Sequence, residues 1–264
     1  MLYIVGTPIG NLREITGYAI EILNSVDYIL CEDTRTSAVL LNHYNINKPT
    51  RSYHKFNETS MLDSVVSDLR SGKNIALISD AGMPCVSDPG KILVNRLIEE
   101  NIEYTVVSGP SALINAFILS GFDAPFTFVG FLPKTKSKAR ELVRSFANTP
   151  STLIFYSPAH NVVEDVALLN DVLHDRRACV VREISKKFEE CVHFNLSEGY
   201  TGAVKGEFVI VVEYKETVNS EDTPIEKLNK YLGGGVDKMS AIKQVAKEYK
   251  MKKNDVYKLL LGDK

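Results

Sequence analysis

Four short apolar runs constrain this chain more than any other feature. "LYIVG" (2–6), "DYILC" (27–31), "NIALIS" (74–79) and "YTVVSG" (104–109) are rich in Val, Ile, Leu and Tyr and show no regular polar alternation. A strand with one wet face alternates. A strand apolar on both faces has to be covered twice, the condition of a parallel sheet between helical layers. Parallel neighbours need long crossovers, and the intervening segments have helical spacing. In "EITGYAIEILNSV" the residues Ile15, Ala19, Ile22, Leu23 and Val26 make one stripe. "MLDSVVSDLRSG" ends on Gly72, a C-cap candidate, and "KILVNRLIEEN" and "SALINAFILSG" follow the last two runs. The first half therefore reads as α/β.

The second half has a different rhythm. "FTFVGF" (126–131), "STLIFY" (151–156), "ACVVRE" (178–183), "CVHFNL" (191–196) and "EFVIVVEY" (207–214) are strand candidates, with helices expected at about 137–148 and 161–173. Several strands follow one another with few helices between, which reads as α+β with antiparallel pairs. Gly, Asp and Pro in "SGFDAPF" (120–126) mark a boundary. The expected organisation is an α/β domain at 1–120, a second domain with a mixed sheet at 121–215, and a linker with a basic helical tail at 216–264. In the tail, "KETVNSEDTP" reads as a polar linker and "GGG" as a flexible joint. Residues 238–258 carry seven Lys against two acids, with Ser240 an N-cap candidate and another helix starting near Asn254. A helix-turn-helix-like module and a plain solvated helix pair both fit that spacing.

Charge and motif content exclude several classes. The net charge is −2, so no global basic field points to nucleic acid, and any such contact must be local. Cys31, Cys85, Cys179 and Cys191 form no CxxC pair and have no His at zinc-finger spacing; Cys31 and Cys179 lie in strand-like runs. Buried thiols, no metal and a reducing cytoplasmic setting are expected. No secretory signal and no membrane-length apolar stretch is evident. GxGxxG after the first strand, a P-loop, a GxSxG elbow and HExxH are all absent.

Chemistry concentrates where the first four strands end. "GTPIGN" (6–11), "CEDTRTS" (31–37), "SDAGMPCVSDPG" (79–90) and "SGPSA" (108–112) would share one edge of a parallel sheet, where such folds bind ligands. Helix starts explain part of this: Asp88 suits an N-cap with Pro89 following, Pro110 suits a first helical residue, and Asp33 or Thr34 suits an N-cap. Capping does not explain "DAGMP", nor Glu32, Asp33 and Arg35 together. His54, in "SYHKFN", is either a surface residue or within reach of substrate. The "SDAGMPCVSDPG" loop is acidic and free of Lys and Arg. It suits a ligand that carries its own cation, such as the sulfonium of S-adenosylmethionine, or one read through backbone amides and hydroxyls.

"LYIVGTPIGNLREIT", "CEDTRTS", "SDAGMPCVSDPG", "GPSA", "FVGFLP", "REISKKFEE" and "KGEFVIVV", in that order over residues 2 to 212, closely resemble the ribosomal RNA small-subunit methyltransferase I family of the tetrapyrrole methylase superfamily. The resemblance implies two α/β domains with S-adenosylmethionine in the cleft between them, and no metal. It implies 2'-O-methylation of a cytidine in the decoding region of small-subunit ribosomal RNA by a cytoplasmic homodimer. Donor contacts are expected from Ser79, Asp80, Ala81, Gly82, Ser111 and Ala112, and across the cleft from Phe131, Leu132 and Tyr156. Thr7, Pro8, Asn11, Arg35, His54, His160 and Arg182 are expected to meet the RNA. The chain departs at "YSPAHN", where Ser157 and Asn161 replace Glu and Arg of the usual "YESPHR", at Ser108 for Pro and at Ser185 for Thr.

A ribose hydroxyl is a weak acid and benefits from a base. Asp33, Glu32 and Glu183 are candidates, Lys186 only if burial depresses its pKa. Arg35, Arg182 and Lys186 are candidates for phosphates, although Arg182 and Glu183 could instead pair between strands or domains. Methylation of a porphyrinoid carbon, or a non-catalytic role in ribosome assembly, are the alternatives.

Overall fold

Strand periodicity sorts the first sheet's side chains into two cores. In the computed structural model, which describes residues 1–215 and 222–261, Ile29 and Cys31 of β2 (Tyr28–Cys31) face one core while Tyr28 and Leu30 face the other. β2 is buried at all four positions, as is β4 (Ile75–Ile78). β1 (Leu2–Val5) and β5 (Tyr104–Val107) complete the four apolar runs, and β3 (Thr50–Ser52) adds an edge, in the order β3-β2-β4-β1-β5. All pairings are parallel. β3 was invisible to hydrophobic patterning because an edge strand needs little apolar surface; its Arg51 reaches Asp68 at 3.0 Å and stacks 3.9 Å over the Tyr28 ring.

The crossovers are α1 (Gly17–Ser25), α2 (Thr34–His43), α3 (Glu58–Arg70), α4 (Lys91–Glu99) and α5 (Ala112–Ser120). Thr16 caps α1 by accepting the Ala19 N–H, and Asp33 caps α2 by accepting the Arg35 N–H. Two expected starts shift. α4 begins after Gly90, whose φ of 122° only glycine adopts easily, so Asp88 does not cap it. α5 begins after Ser111, so Pro110 lies outside the helix.

The second sheet runs β6 (Phe126–Phe131), β7 (Thr152–Pro158), β10 (Glu207–Val212), β8 (Arg177–Arg182), β9 (Glu190–Asn195) across its width. β6 and β7 are parallel and the remaining pairs antiparallel. One face is covered by α6 (Lys136–Phe146) and α7 (Val162–Leu173), through Ala139, Val143, Val166 and Leu169 against Phe155, Val180 and Ile210. The opposite face, Ile154, Cys179, Val181 and Val209, packs on Ala116, Leu113 and Phe117 of α5. The last helix of the βα series therefore serves as cover for the second sheet.

Residues Met1–Tyr214 make one compact unit and Lys215–Lys264 a second. The second holds three helices, one more than expected: α8 (Pro224–Gly233), α9 (Lys238–Glu248) and α10 (Lys253–Leu261). α8 starts at a capping box of Thr223 and Glu226 with Pro224 in its first turn. α9 is capped by Asp237 rather than Ser240. Leu228, Ile242, Val245 and Val256 form its core. The expected polar linker lies, over 216–221, outside the described residues. No helix among the described residues is long and apolar enough to cross a membrane.

The loops after β1 and β5 touch backbone to backbone. A Cβ on Gly109 would stand 2.7 Å from Gly6 Cα, and one on Gly6 would stand 2.6 Å from Gly109 Cα. Neither atom is the end of a flexible side chain. Gly109→Ala should cost about 1–3 kcal/mol by overpacking, seen as a lower urea midpoint at unchanged m-value, whereas Gly17→Ala, with nothing within 4 Å of its Cβ, should not lower it.

Candidate active site

Because β1, β2, β4 and β5 are parallel, their carboxyl ends share one edge and the four loops converge there. The β1 and β4 loops are stitched by a two-residue bridge. Thr7 N–H donates to the Gly82 carbonyl at 2.9 Å, and Gly82 N–H returns to Thr7 at 3.1 Å. Thr7 Oγ1 also donates to the Ser79 carbonyl at 3.1 Å. Gly82 sits at φ 81°, with Ile9 3.3 Å from where its Cβ would be, so a side chain here would be strained and crowded. The Asp33 N–H donates to Asp80 Oδ1 at 3.3 Å and joins the β2 loop to the same set.

Between this edge and the second sheet lies a cavity of about 400 Å³, within the range of small-molecule sites. Asp80, Ala81, Gly82, Asp88, Ser111 and Ala112 line one side, and Phe131, Tyr156, Ser157, Ile184 and Phe208 the other. Tyr156 faces the start of α5: burial pushes its hydroxyl pKa up, with the Leu113 N–H opposing, and its ring meets Phe131 at 5.4 Å and Phe128 at 4.8 Å. Phe131 is 53% exposed, an aromatic lip at the mouth.

The field here is negative. Burial, with Glu32 and Asp80 nearby, pushes Asp88 from 3.8 up to about 7. Glu32 is raised by burial and by Asp80, against the opposing pull of His54 and Lys55. Asp80 is raised by burial, partly offset by the Asp33 N–H. Among the described residues, no Lys or Arg lines the cavity. Asp33 behaves in the opposite way: its bonds from the Arg35 side chain and N–H, at 2.7 to 3.1 Å, hold it at about 2.

The expected site residues thus divide. Asp80, Ala81, Gly82, Ser111, Ala112, Phe131 and Tyr156 come together on the cavity wall. Ser79 and Leu132 do not: Ser79 is buried with its hydroxyl directed at the Gly82 carbonyl, and Leu132 packs into the core beneath the second sheet. Thr7 and Pro8 are buried too, and the Thr7 hydroxyl is spent on the backbone of the β4 loop. Arg182 pairs with Glu190 across β8 and β9 at 3.0 Å rather than with Glu183. Lys186 is no depressed lysine. Burial works against its charge, but bonds to Glu183 and Glu207, both 2.9 Å, outweigh burial and raise its pKa. Glu183 is lowered in turn; burial alone would raise it, and the Lys186 bond reverses the sign.

His54 stands near Glu32, its Nδ1 accepting the Phe56 N–H at 3.3 Å. His160 is exposed beyond β7, close to Asp165. At the departing "YSPAHN" loop, Ser157 is buried and donates to Asp165 of α7 at 2.6 Å. A second, open hollow of about 580 Å³ is lined by Asn11, Arg13, His43, Glu183, Lys186, Lys187 and Phe188. Phe188 is 63% exposed, with Lys187 Nζ 5.6 Å from its ring centre. Sequence reasoning missed Asp88 as a wall residue because capping accounted for it, and missed Phe188 because a lone aromatic in a polar run carries no periodic signal.

Asp88 carries a pH signature. Its folded pKa lies above the ordinary value, so its contribution to stability is fully present below about 3.8 and is lost as pH rises through about 7. Asp88→Asn should therefore gain on the native protein between about pH 5 and about pH 8, the gap in urea midpoint widening with pH. Parallel pH curves for the two proteins would refute this.

Residues 1–199 match the family model described as Tetrapyrrole (Corrin/Porphyrin) Methylases. The chain is 38% identical over 270 residues to Ribosomal RNA small subunit methyltransferase I of Halalkalibacterium halodurans, a match covering 98% of this chain and 93% of that protein. It is 37% identical to the Bacillus subtilis protein of the same name, covering 97% and 92%. Among solved structures it is similar to uroporphyrin-III-C-methyltransferase from Thermus thermophilus, with TM-score 0.56 and 16% identity over 80% of this chain and 93% of that one. Diphthine synthase superposes with TM-score 0.64 at 10% identity, over 80% and 89%. The structural likenesses speak to fold alone. The sequence relatives extend over nearly the whole chain, the tail unit included, and by them this chain belongs to the ribosomal RNA small subunit methyltransferase I family, within the tetrapyrrole methylases.

Proposed function

We propose that this protein transfers a methyl group from S-adenosylmethionine to the ribose 2'-hydroxyl of a cytidine in the decoding region of small-subunit ribosomal RNA. The observation that carries the reading is the cavity at the strand ends, walled by Asp80, Asp88 and Glu207 with no cation among the described residues of its lining. An anionic ligand would be repelled here. A sulfonium compound is attracted, and the names of the sequence relatives point to the same chemistry.

The lining fits such a donor. Asp80 and Asp88 supply counter-charge, and Ile9, Met83 and Val86 apolar surface. Ser111 makes no side-chain cap bond, which leaves the first turn of α5 to meet a carboxylate. When bound, S-adenosylmethionine supplies an electrophilic methyl group.

Glu32 is the proton acceptor of this reading. Burial and Asp80 raise the pKa of its carboxylate, which lies near Asp80, Asp88 and His54 without lining the cavity itself. It takes the proton from the 2'-oxygen as that atom becomes a nucleophile. Asp33, held near 2, is too weak a base, and it caps α2 while positioning Arg35, whose guanidinium stays exposed for a phosphate. Holding acceptor and methyl in line can supply ~7–11 kcal/mol, so positioning is the larger task. Arg13, Lys187 and the exposed Phe188 ring beside the second hollow suit a single-stranded RNA segment, with cations for phosphate and a face for stacking.

The same reading includes a cytoplasmic setting, where ribosomes are assembled, and a homodimer. β5 is an edge strand, and the outward face of α5 leaves Ile118 70% exposed beside Ile114 and Leu119, a surface suited to a second copy.

Small subunits lacking the modification, incubated with methyl-labelled donor, should yield a 2'-O-methylcytidine on nuclease digestion and mass spectrometry. Label appearing only on a porphyrinoid, or on no RNA at all, would sink the reading. Within that assay Glu32→Gln should lower turnover about 10²–10⁴-fold with donor binding kept. Asp33→Asn should stay within about 10-fold of the native rate, because Asn caps a helix as well as Asp does.

All seven Lys of residues 238–258 are exposed. Removing the unit that starts at Lys215 should weaken RNA binding and flatten the plot of log affinity against log salt, by about 0.7 per lost phosphate contact on single strands. Equal slopes with and without the unit would exclude it from the RNA contact.

A further inference from the structure

Strand pairing assembles a donor set that the linear sequence disperses. In the β8–β9 ribbon Cys179 stands opposite His193, and Val181 opposite Cys191. Residues two apart share a face, so Cys179, Cys191 and His193 lie together on the side turned toward α5. The two sulfurs are 3.1 Å apart, Cys191 Sγ is 3.9 Å from His193 Nδ1, and all three donor atoms lie within 4.8 Å of one another.

The histidine is oriented as a ligand would be. Its Nε2 lies 2.9 Å from the Ser120 carbonyl at the end of α5. A carbonyl only accepts, so Nε2 carries the hydrogen, and Nδ1 keeps a lone pair for the thiols. An imidazole whose outer N–H is held by a backbone carbonyl is the usual support of a metal-bound histidine. The Leu119 carbonyl, 3.6 Å from Cys191 Sγ, offers a fourth donor.

We propose that Cys179, Cys191 and His193 form a site for a thiophilic metal ion of the zinc class. Zinc–sulfur bonds of about 2.3 Å and zinc–nitrogen bonds of about 2.0–2.1 Å in a tetrahedron give edges of about 3.8 Å between sulfurs and about 3.6 Å between sulfur and nitrogen. The two sulfurs stand closer than this, at 3.1 Å, and Cys191 Sγ stands slightly farther from Nδ1, at 3.9 Å; rotation about χ1 of the exposed Cys191 adjusts both. A disulfide fits less well. The thiols are a diagonal cross-strand pair, whose Cα atoms are typically about 7–8 Å apart, beyond the usual reach of a disulfide. Two thiolates with one imidazole select Zn²⁺ or Cu⁺ over the oxygen-seeking ions. On binding, both thiol protons leave to solvent and two metal–sulfur bonds form, with no oxidant or reductant required. Exposure of Cys191 and His193 leaves a path for the ion. Loaded, the site would fasten β8 and β9 beside the last turn of α5, the helix whose first turn lines the donor cavity.

The test is titration of the reduced, full-length protein with Co²⁺, then displacement by Zn²⁺. The expected result is one equivalent of Co²⁺ giving thiolate charge-transfer and tetrahedral d–d bands, both lost on adding Zn²⁺, with release of two protons. Cys191→Ser and His193→Ala should each weaken binding by more than about 100-fold, beyond the effect of an outer-sphere change. Cys31→Ser and Cys85→Ser, at thiols outside the cluster, should retain the bands. Absence of the bands in the native protein, bands that persist in Cys191→Ser, or a Cys179–Cys191 disulfide forming in air under conditions where no metal binds would each overturn the proposal.

Discussion

The site depends on a two-residue bridge of backbone. Thr7 and Gly82 exchange both hydrogen bonds although neither belongs to a strand, and the Thr7 hydroxyl adds a third bond to Ser79. Without these, the loops after β1 and β4 would be two independent surface segments. With them, the acidic loop is fixed over the sheet edge, its backbone paired and its carboxylates turned to the cavity. Gly6 and Gly109 extend the same logic to the β5 loop, since only residues without Cβ atoms allow that approach. Fixing the loops before a ligand arrives removes ordering entropy from the binding step.

That rigidity is what makes the electrostatics possible. Burial raises the proton affinity of Glu32, Asp80 and Asp88, and neighbouring carboxylates add to it, Asp80 acting on Glu32 and both of these on Asp88. A flexible loop would let the carboxylates separate into water and relax. Held together, they form an unneutralised negative site, which costs stability in the free protein and is offset by a cationic ligand. The contrast with Asp33 is instructive. One residue from Glu32, it has found a guanidinium and a helix N-terminus, and its charge is satisfied without any ligand. Adjacent acids in the sequence thus take opposite roles through their neighbours in space.

How much of this was legible in the sequence follows from the same physics. The buried strands of both sheets were readable because burial on two faces leaves a compositional trace, and their ends fell within a few residues of the expected ones. β3 was not, since its Thr50 and Arg51 face solvent. The tail's first helix was not, since the linker composition before it masked the Thr223–Glu226 box. Among site residues, the loops announced themselves through Gly, Pro and acid content, and seven of the nine expected donor contacts line one cavity. Side-chain direction did not announce itself. Thr7, Ser79 and Leu132 sit beside the cavity in sequence yet point into backbone or core. The Cys179–Cys191–His193 cluster was hidden for a related reason: its spacing matches no local motif and becomes visible only once the β8–β9 register is known.

α5 is where these threads meet. It is the last crossover of the parallel series, yet its buried face packs on β7, β8 and β10 rather than on the first sheet. Its start lines the cavity, and its last carbonyls hold His193 and Cys191. A helix apolar nearly all the way round is normally one buried on every side. Here the composition is explained by two separate demands, a sheet beneath and an exposed stripe above.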